Sequence, residues 1–536
     1  MKRNLLLGSV ILVICALRWL LDTPAPKPAR TDKARAPAAP VEIDKITVPH
    51  DAAEANTAFA ARLRAHLNRA GSRADEAVLT FADRDALNRF LARASAAGVA
   101  VLGQLDALNT VRVRVNDHAA FARELAAHSG DYTKVSGNLI LTEPTPSSAE
   151  ARAAGQAAPV GNNLLGLLGL DPDNPTRGRG VTIAILDGGA APGATFGNRL
   201  TYLDIGYGIT GYGDDARHAT SVAALAGGLG SASGEASGVA SAANLLSIKV
   251  SGSDGQADAF SVAAGVLAAI DAGAQVINIS LGAYGDSPVL AEAIERAVAA
   301  GIAVVAAAGN DQAGQLAWPA AYPGVVSVGA TDANGQQAIF SNSGDTLQLT
   351  APGYGIITTG PGDTRVSFSG TSASAPIVAG SIAALLSADP ELTPLAAADL
   401  LATYGNDSGV AGPDRDYGRA TINPGWALDR DNPDRIDVAI TSFGYNPTAQ
   451  TVTVVVQNRG NRPLSGLTLT ITIGNHASVH PLPLLDSTAS STTTVAIPAN
   501  TEWVDSRTLL VIDLQPPAGV TDQDPSNNRR AAILNR

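Results

Sequence analysis

Residues 181–187 read Val-Thr-Ile-Ala-Ile-Leu-Asp, an unbroken apolar run that ends at an aspartate. Such a run is typical of a strand that is buried on both faces of a parallel sheet. Similar runs follow it, and alanine-rich stretches of helical length separate them. The predicted strands are Leu245–Val250, Gln275–Ser280, Ile302–Ala308 and Val325–Val328, and the predicted helices are Ala219–Gly227, Ala257–Ala272 and Pro288–Ala300.

Strands that alternate with helices in this way predict a doubly wound, mostly parallel α/β sheet. Ligands bind such sheets in the crevice outside the carboxyl ends of the strands. Asp187 and Asn310 each come at the end of a predicted strand. We therefore expect both side chains to belong to a functional site.

Composition excludes several classes of protein. The chain has 536 residues, of which 45% are apolar and 16% charged, with a net charge of −12. An acidic balance argues against a nucleic-acid binder, which needs cationic side chains for the phosphates. The apolar content is enough for a large core, and this excludes global disorder. A single cysteine excludes an intrachain disulfide framework, a cysteine-based zinc site and an iron–sulfur cluster.

The amino terminus has the pattern of an export segment. Lys2 and Arg3 precede an apolar run over residues 5–21, and a Pro/Ala-rich linker follows over 22–44. Residues 1–21 are a signal peptide or a signal anchor, and the lack of a nearby small-residue cleavage site favours an anchor. We expect the rest of the chain to lie outside the membrane, either in the cell envelope or extracellular.

Residues 45–145 predict a small α+β domain. Aspartates at positions 83 and 117 are expected to cap two of its helices. The order β-α-β-β-α-β is that of a ferredoxin-like unit. A second linker at 146–160 is rich in proline, serine and alanine. The predicted strands are Val78–Ala82, Val99–Leu105, Val111–Val115 and Tyr132–Leu141, and a further helix over Ala53–Ala70 precedes them.

Two side chains in the central region have the chemistry of a serine hydrolase. His218 is the only histidine between residues 160 and 430, and it begins an apolar helix. Ser372 falls at the start of another helix, where free backbone N–H groups and the helix dipole stabilise an alkoxide or an oxyanion. Taken singly, each is better explained as an ordinary helix start.

Taken together, these segments resemble those of the subtilisin-like serine proteases over residues 160–430. The segments that carry the resemblance are Ile183-Ala184-Ile185-Leu186-Asp187-Gly188-Gly189, Asp214-Asp215-Ala216-Arg217-His218-Ala219-Thr220-Ser221-Val222-Ala223, Asn278-Ile279-Ser280-Leu281-Gly282, Val304-Val305-Ala306-Ala307-Ala308-Gly309-Asn310 and Gly370-Thr371-Ser372-Ala373-Ser374-Ala375-Pro376. Ala219, Ser221, Ser241 and Ala373 depart from the residues usual in that family, but none of these departures removes a reacting group.

The resemblance implies a role for each site residue. Ser372 is the expected nucleophile, His218 the base, and Asp187 the carboxylate that orients the imidazole. Asn310 and the Ser372 N–H are expected to hold the oxyanion. Ser280-Leu281-Gly282 are expected to bind an extended peptide by strand addition. No metal is required for this chemistry, and the sequence leaves structural calcium open.

The resemblance also implies roles for the flanking domains. Residues 45–145 are expected to be a propeptide that assists folding and inhibits the active site as the enzyme's own partner. The chain would then cleave itself between about Leu141 and Val160.

Residues 434–536 change to a two-residue period, which predicts an antiparallel β-sandwich of about seven strands. They resemble the bacterial CARDB-type immunoglobulin-like domains. His476 and His480 lie four residues apart beside a predicted strand, and a metal site would need further ligands, so a metal pair is not expected.

The sequence therefore predicts an exported serine endopeptidase that acts on peptides or proteins and is made as a self-processing zymogen. The alternative is a catalytically weak or dead binding protein of the same fold. An esterase is disfavoured because the chain has Gly-Thr-Ser at the nucleophile rather than a Gly-x-Ser-x-Gly elbow.

Overall fold

A computed structural model describes residues 57–143, 157–203, 205, 216–230, 238–252 and 255–536. The predicted export segment at 1–21, the linker at 22–44 and most of the linker at 146–160 lie outside these ranges.

Residues 57–143 form an α+β sandwich, which we call the N-terminal unit. Its four strands are all antiparallel in the order β2-β3-β1-β4, as a ferredoxin-like fold requires, and the prediction is confirmed. Asp83 and Asp117 accept hydrogen bonds from the first backbone N–H groups of the helices they precede. The elements are α1 Thr57–Leu67, β1 Ser72–Phe81, α2 Arg84–Arg93, β2 Val99–Leu105, β3 Thr110–Val115, α3 His118–Ala127 and β4 Tyr132–Thr142.

Residues 157–430 form the central unit, which is built on an eight-stranded parallel sheet. The strand order is β15-β12-β11-β10-β9-β5-β7-β6, so the predicted doubly wound sheet is confirmed. The sheet strands are β5 Thr182–Asp187, β6 Leu200–Leu203, β7 Asn244–Lys249, β9 Val276–Ile279, β10 Ala303–Ala307, β11 Val326–Thr331, β12 Leu349–Pro352 and β15 Ala420–Thr421. In the described part of this unit, three further strands lie outside the sheet: β8 Gln256–Asp258, β13 Ile356–Gly360 and β14 Thr364–Phe368.

Both faces of this sheet are buried by helices. Ile183 and Ile185 of β5 belong to one apolar core, and Ala184 and Leu186 belong to the other. This alternation explains why the strand reads as a continuous apolar run. The helices of the unit are α4 Leu164–Leu167, α5 Arg217–Gly227, α6 Ala259–Asp271, α7 Pro288–Ala299, α8 Thr371–Ala388, α9 Pro394–Thr403 and α10 Pro424–Leu428.

Helix α8 is the core helix of the central unit. Among the described residues it is the one helix whose length and hydropathy would suffice to cross a membrane. Its most apolar window is 89% buried inside the protein. The helix therefore belongs to the interior of this domain.

The N-terminal unit docks on the central unit by extending its sheet. β4 pairs antiparallel with the short strand β8, which gives a five-stranded sheet shared by both units. Val78, Leu139 and Leu141 pack into the same apolar core as Phe260 of α6. The opposite face of the sheet packs on helices α1 to α3. One face of the N-terminal sheet is thus buried by the central unit.

Residues 436–535 form a two-sheet β-sandwich, which we call the C-terminal unit. One sheet has the order β16-β17-β20 and the other β19-β18-β21-β22, and both are antiparallel. Strand β19 has mostly small or polar side chains, so its sequence shows little of the apolar pattern of a buried strand. The strands are β16 Val438–Asn446, β17 Thr451–Asn458, β18 Thr468–Ile473, β19 His476–Pro481, β20 Ser490–Ala496, β21 Arg507–Gln515 and β22 Arg529–Asn535.

Candidate active site

Three adjacent strands of the central sheet bring polar side chains to its carboxyl edge. β5 ends at Asp187, Ser280 follows β9, and Asn310 lies beyond the end of β10. These strands are neighbours in the order β10-β9-β5. Parallel strands end on the same edge, so the fold brings together three residues that are far apart in the sequence.

His218 and Asp187 form a buried pair. His218 is the second residue of α5, and its Nδ1 lies 3.0 Å from Asp187 Oδ1 and 3.1 Å from Oδ2. The two residues are 6% and 1% exposed. The Gly188 N–H donates to Asp187 Oδ1 at 2.7 Å, and the His218 and Phe368 rings meet at 71° with their centroids 5.4 Å apart. The carboxylate therefore fixes the imidazole with its Nδ1 side toward Asp187, and Nε2 becomes the nitrogen able to take a proton.

Ser372 is the second residue of α8, as the sequence predicts. In the structure its hydroxyl donates to the Ser280 carbonyl oxygen at 3.3 Å, and the Ser280 hydroxyl donates to the Ser372 carbonyl oxygen at 3.2 Å. Asn278 Nδ2 donates to Ser280 Oγ at 3.1 Å. These bonds hold the start of α8 against the end of β9.

Asn310 lies beside this helix start with a defined orientation. Its Oδ1 accepts hydrogen bonds from the backbone N–H of Thr371 at 2.9 Å and from Thr371 Oγ1 at 3.0 Å. Nδ2 is left on the other side, and a Cβ at Gly370 would lie 2.9 Å from it. Gly370 has a φ of 131° and no side chain, so it leaves open the space in front of Nδ2.

The loop that carries Asn310 is organised by Asn342, a residue that sequence reasoning missed. Asn342 Oδ1 accepts from the backbone N–H groups of Asp311 and Ala313, and Nδ2 donates to the Ala308 carbonyl and the Tyr284 hydroxyl. Asn342 is fully buried. It lies 32 positions beyond Asn310 with no motif around it, so the sequence held no signal for it.

The end of β4 occupies the cleft beside these groups. The Thr142 N–H donates to the Gly282 carbonyl at 3.0 Å, and the Gly282 N–H donates to the Thr142 carbonyl at 3.2 Å. The Glu143 N–H donates to the Gly255 carbonyl at 3.3 Å. The chain therefore enters the cleft as an extended strand between two segments of the central unit.

A cavity of about 290 Å³ lies next to this strand. Its walls are mostly small or apolar, and Asp311, whose carboxylate accepts from the Tyr284 hydroxyl at 2.7 Å, is the one charged residue. The lining from the central unit is Ser280, Leu281, Gly282, Ala283, Tyr284, Ala307, Gly309, Asn310, Asp311, Ala317 and Thr371. The predicted segment Ser280-Leu281-Gly282 thus borders both the bound strand and the cavity.

Glu143 brings a third ionisable side chain to the site. Its Oε1 accepts from Ser251 Oγ at 3.0 Å, and its Oε2 lies 3.9 Å from His218 Nδ1. Glu143, Asp187 and His218 are the one group among the described residues whose ligand atoms lie close enough to share a cation. Asp187 and His218 Nδ1 already bind each other, so these atoms are not a separate set of metal ligands.

Comparison with known proteins identifies relatives of the central unit. A family model described as the subtilase family matches residues 178–419. Subtilisin Savinase of Lederbergia lenta is 36% identical over 215 residues, which are 40% of this chain and 78% of that protein. Alkaline elastase YaB of Bacillus sp. (strain YaB) is 37% identical over 211 residues, which are 39% of this chain and 54% of that protein.

A solved structure shows a similar fold over a longer stretch. The epidermin leader peptide processing serine protease of Staphylococcus aureus superposes with a TM-score of 0.55 and 21% identity. The match covers 67% of this chain and 98% of that structure.

Proposed function

This chain belongs to the subtilase family of serine endopeptidases, and we propose that it cleaves peptide bonds through Ser372, His218 and Asp187 after export as a self-processing zymogen. The observation that carries the proposal is the buried His218–Asp187 pair, together with a helix start that bears Ser372 and is hydrogen-bonded to Asn310.

In the proposed reaction the Ser372 oxygen attacks the carbonyl carbon of the scissile bond. His218 Nε2 takes the hydroxyl proton and then gives it to the nitrogen of the leaving amine as the C–N bond breaks. A water molecule, deprotonated by His218 Nε2, then attacks the carbonyl carbon of the acyl-enzyme. The ester bond to Ser372 breaks, and His218 returns the proton to the serine oxygen. Asp187 keeps the imidazole oriented and stabilises its charged form. For this step the Ser372 hydroxyl, which donates to the Ser280 carbonyl at 3.3 Å in the structure, has to turn toward His218 Nε2.

Two donors are available for the oxyanion of the tetrahedral intermediate. One is the backbone N–H of Ser372 in the first turn of α8, where the helix dipole favours negative charge. The other is Asn310 Nδ2, which remains available because Thr371 occupies Oδ1. Donors that are fixed before the charge develops lower the barrier at no cost of reorganisation.

The zymogen proposal is supported by the position of the N-terminal unit. Its last strand occupies the cleft as a substrate would, with Thr142 opposite Gly282. Antiparallel partners advance in opposite directions, so in a substrate bound in this register the residue two positions after the one opposite Gly282 meets Ser280, whose carbonyl contacts Ser372 Oγ. The register predicts cleavage at the Pro144–Thr145 bond, inside the interval 141–160. An unreleased N-terminal unit would block the cleft.

Export is proposed from the sequence of residues 1–21, and cleavage at residue 144 would separate the enzyme from that segment. A membrane-anchored precursor would then release a soluble enzyme.

Processing of the full chain tests this proposal. We expect wild-type protein to yield a species beginning near Thr145 on N-terminal sequencing and the Ser372→Ala protein to stay uncut, because the attacking oxygen is gone. A fluorophosphonate probe should label wild type and not Ser372→Ala. Ser387→Ala, which changes a serine near the far end of α8, is the matched control and should still be processed and labelled.

Two results would contradict the proposal. An unlabelled, unprocessed wild-type protein with a native fold would instead support the catalytically dead binding protein. An active enzyme that still contains residues 57–143 uncut would make the N-terminal unit a permanent domain.

A further inference from the structure

Asp258 lies beside the cleft, at the interface between the central unit and the N-terminal unit. It is the last residue of β8 and the cap of α6, where its Oδ1 accepts from the Ser261 N–H at 2.9 Å. Its Oδ2 lies 3.3 Å from Arg73 Nε and 3.2 Å from Arg112 Nη1. The residue is 3% exposed. A buried carboxylate with two guanidinium partners is a site built for a cation.

Both arginines belong to the N-terminal unit, whereas the helix that Asp258 caps belongs to the central unit. Across the same interface Lys134 Nζ of β4 lies 3.5 Å from Glu292 Oε2 of α7. The central unit therefore presents acidic groups and the N-terminal unit basic ones. When the N-terminal unit leaves, the Asp258–Ser261 bond remains, but Oδ2 loses both of its cationic partners.

The pairing of β4 with β8 shows which residue of a substrate would replace the two arginines beside Asp258. Ile140 is paired directly with Asp258, and Thr142 with Gln256. Residues opposite each other in an antiparallel pair project to the same face, with Cβ atoms about 4.5–5.5 Å apart. An extended Arg or Lys side chain at that position spans this distance. If the cut follows residue 144, position 140 is the fifth residue on the amino-terminal side of the scissile bond.

We propose that Asp258 makes the processed enzyme select substrates with Arg or Lys five residues before the scissile bond. The inference rests on the proposed peptidase function and adds to it a preference for a positive charge at one position of the substrate. The cationic residue takes the place that Arg73 and Arg112 occupy in the structure. Without the carboxylate, the amino-terminal end of α6 would repel a cation, because its dipole is positive there.

Matched peptides that differ only at this fifth position, carrying Arg, Gln or Glu, test the inference. The enzyme is obtained by expressing the full chain, and its concentration is set by active-site titration, so that only molecules with a cleared cleft are counted. For wild type we expect kcat/KM for the Arg peptide to exceed that for the Glu peptide about tenfold at low ionic strength. The ratio should fall as salt screens the pair.

Asp258→Asn removes the charge and keeps a side chain that caps helices equally well, so α6 is expected to stay folded. In this variant we expect the Arg-to-Glu ratio to fall to one or below. Glu295→Gln, which removes an exposed charge from α7, is the control and should keep the wild-type ratio.

The inference is overturned by a wild-type ratio near one, or by a ratio that Asp258→Asn leaves unchanged. The Gln peptide distinguishes a missing charge preference from a missing peptidase activity. If all three proteins cleave it, the peptidase function stands whatever the charge preference. If wild type cleaves none of the peptides, the proposed function itself fails.

Discussion

Thr371 decides which atom of Asn310 faces the proposed oxyanion site. Its backbone N–H and its hydroxyl both donate to Asn310 Oδ1, and its hydroxyl also accepts from the Gly309 N–H at 3.1 Å. An amide has one acceptor side and one donor side, so occupying Oδ1 directs Nδ2 elsewhere. Thr371 is thus a positioning residue that acts through Asn310.

We expect Thr371→Val to lower kcat about tenfold with little change in KM, because the shape is kept while one bond that orients Asn310 is lost. Asn310→Ala removes the donor itself and is expected to cost about 10²–10³ in kcat. Steady-state kinetics on a short peptide measures both effects.

A double-mutant cycle distinguishes orientation from packing. Thr371→Val should have no further effect in the Asn310→Ala background, and Thr371→Ser should restore most of the activity because the hydroxyl returns. An additive loss in the double variant would mean that Thr371 supports the site by packing alone.

At the scale of elements, an ionic network holds together the sheet of the N-terminal unit. Arg112 on β3 donates to both carboxylate oxygens of Glu76 on β1, at 2.8 and 3.1 Å, and Asn138 on β4 donates at 2.9 Å. Burial by itself would raise the pKa of Glu76, but the hydrogen bonds from Arg112, Asn138 and Arg114 outweigh it and hold the pKa below its usual range.

This network predicts that the N-terminal unit is weakened by acid. A carboxylate with a lowered pKa in the folded state stabilises the fold above its unfolded pKa, and this contribution is lost as the pH falls through the folded value. In full-length Ser372→Ala protein, we expect amide exchange in β1 and β3, corrected for its intrinsic pH dependence, to accelerate between about pH 5 and pH 3. Glu76→Gln should remove most of this acceleration and weaken protection at neutral pH. Asp85→Asn, an exposed carboxylate on α2, should leave the profile unchanged, and an equal response of both variants would contradict the assignment.

The elements differ in how far the sequence predicts them. β5, β7, β9 and β10 were predictable because burial on both faces makes each an apolar run. β8 was missed and assigned to the following helix, because three residues become a strand only through pairing with β4, more than a hundred positions earlier.

The site residues likewise divide into those that a local sequence motif predicts and those that it does not. Asp187, His218, Asn310 and Ser372 lie within short local motifs, whereas Thr371, Asn342 and Asp258 act through partners distant in the sequence. Thr371 lies within the nucleophile motif, but nothing in the sequence pointed to Asn342 or Asp258.

At the scale of the whole molecule, the C-terminal unit covers a tryptophan of the central unit. Trp426 on α10 is fully buried, its Nε1–H donates to Asn461 Oδ1 at 3.2 Å, and its ring lies 6.0 Å from the Arg459 guanidinium carbon. Asn461 Nδ2 in turn donates to the Asp429 and Asn432 carbonyls, at 2.7 and 2.8 Å. These contacts tie the sandwich to the last helix of the central unit.

The hydrogen bonds described for Asp187, Ser280, Asn310 and Ser372 are made within the central unit. The C-terminal unit is therefore expected to affect stability rather than the chemical step. We expect a chain ending at residue 433 to lose several degrees of thermal midpoint, since Trp426 becomes exposed and its partners are lost, while kcat/KM on a short peptide stays within about twofold.

Asn461→Ala in the intact chain should lower the midpoint by about 2–4 °C through the loss of its hydrogen bonds, and Asn500→Ala at an exposed turn should not. Equal midpoints for wild type, the truncated chain and Asn461→Ala would make the sandwich an independent spacer. A truncated enzyme with an unchanged midpoint and altered kcat/KM on protein substrates alone would make it a substrate-binding module instead.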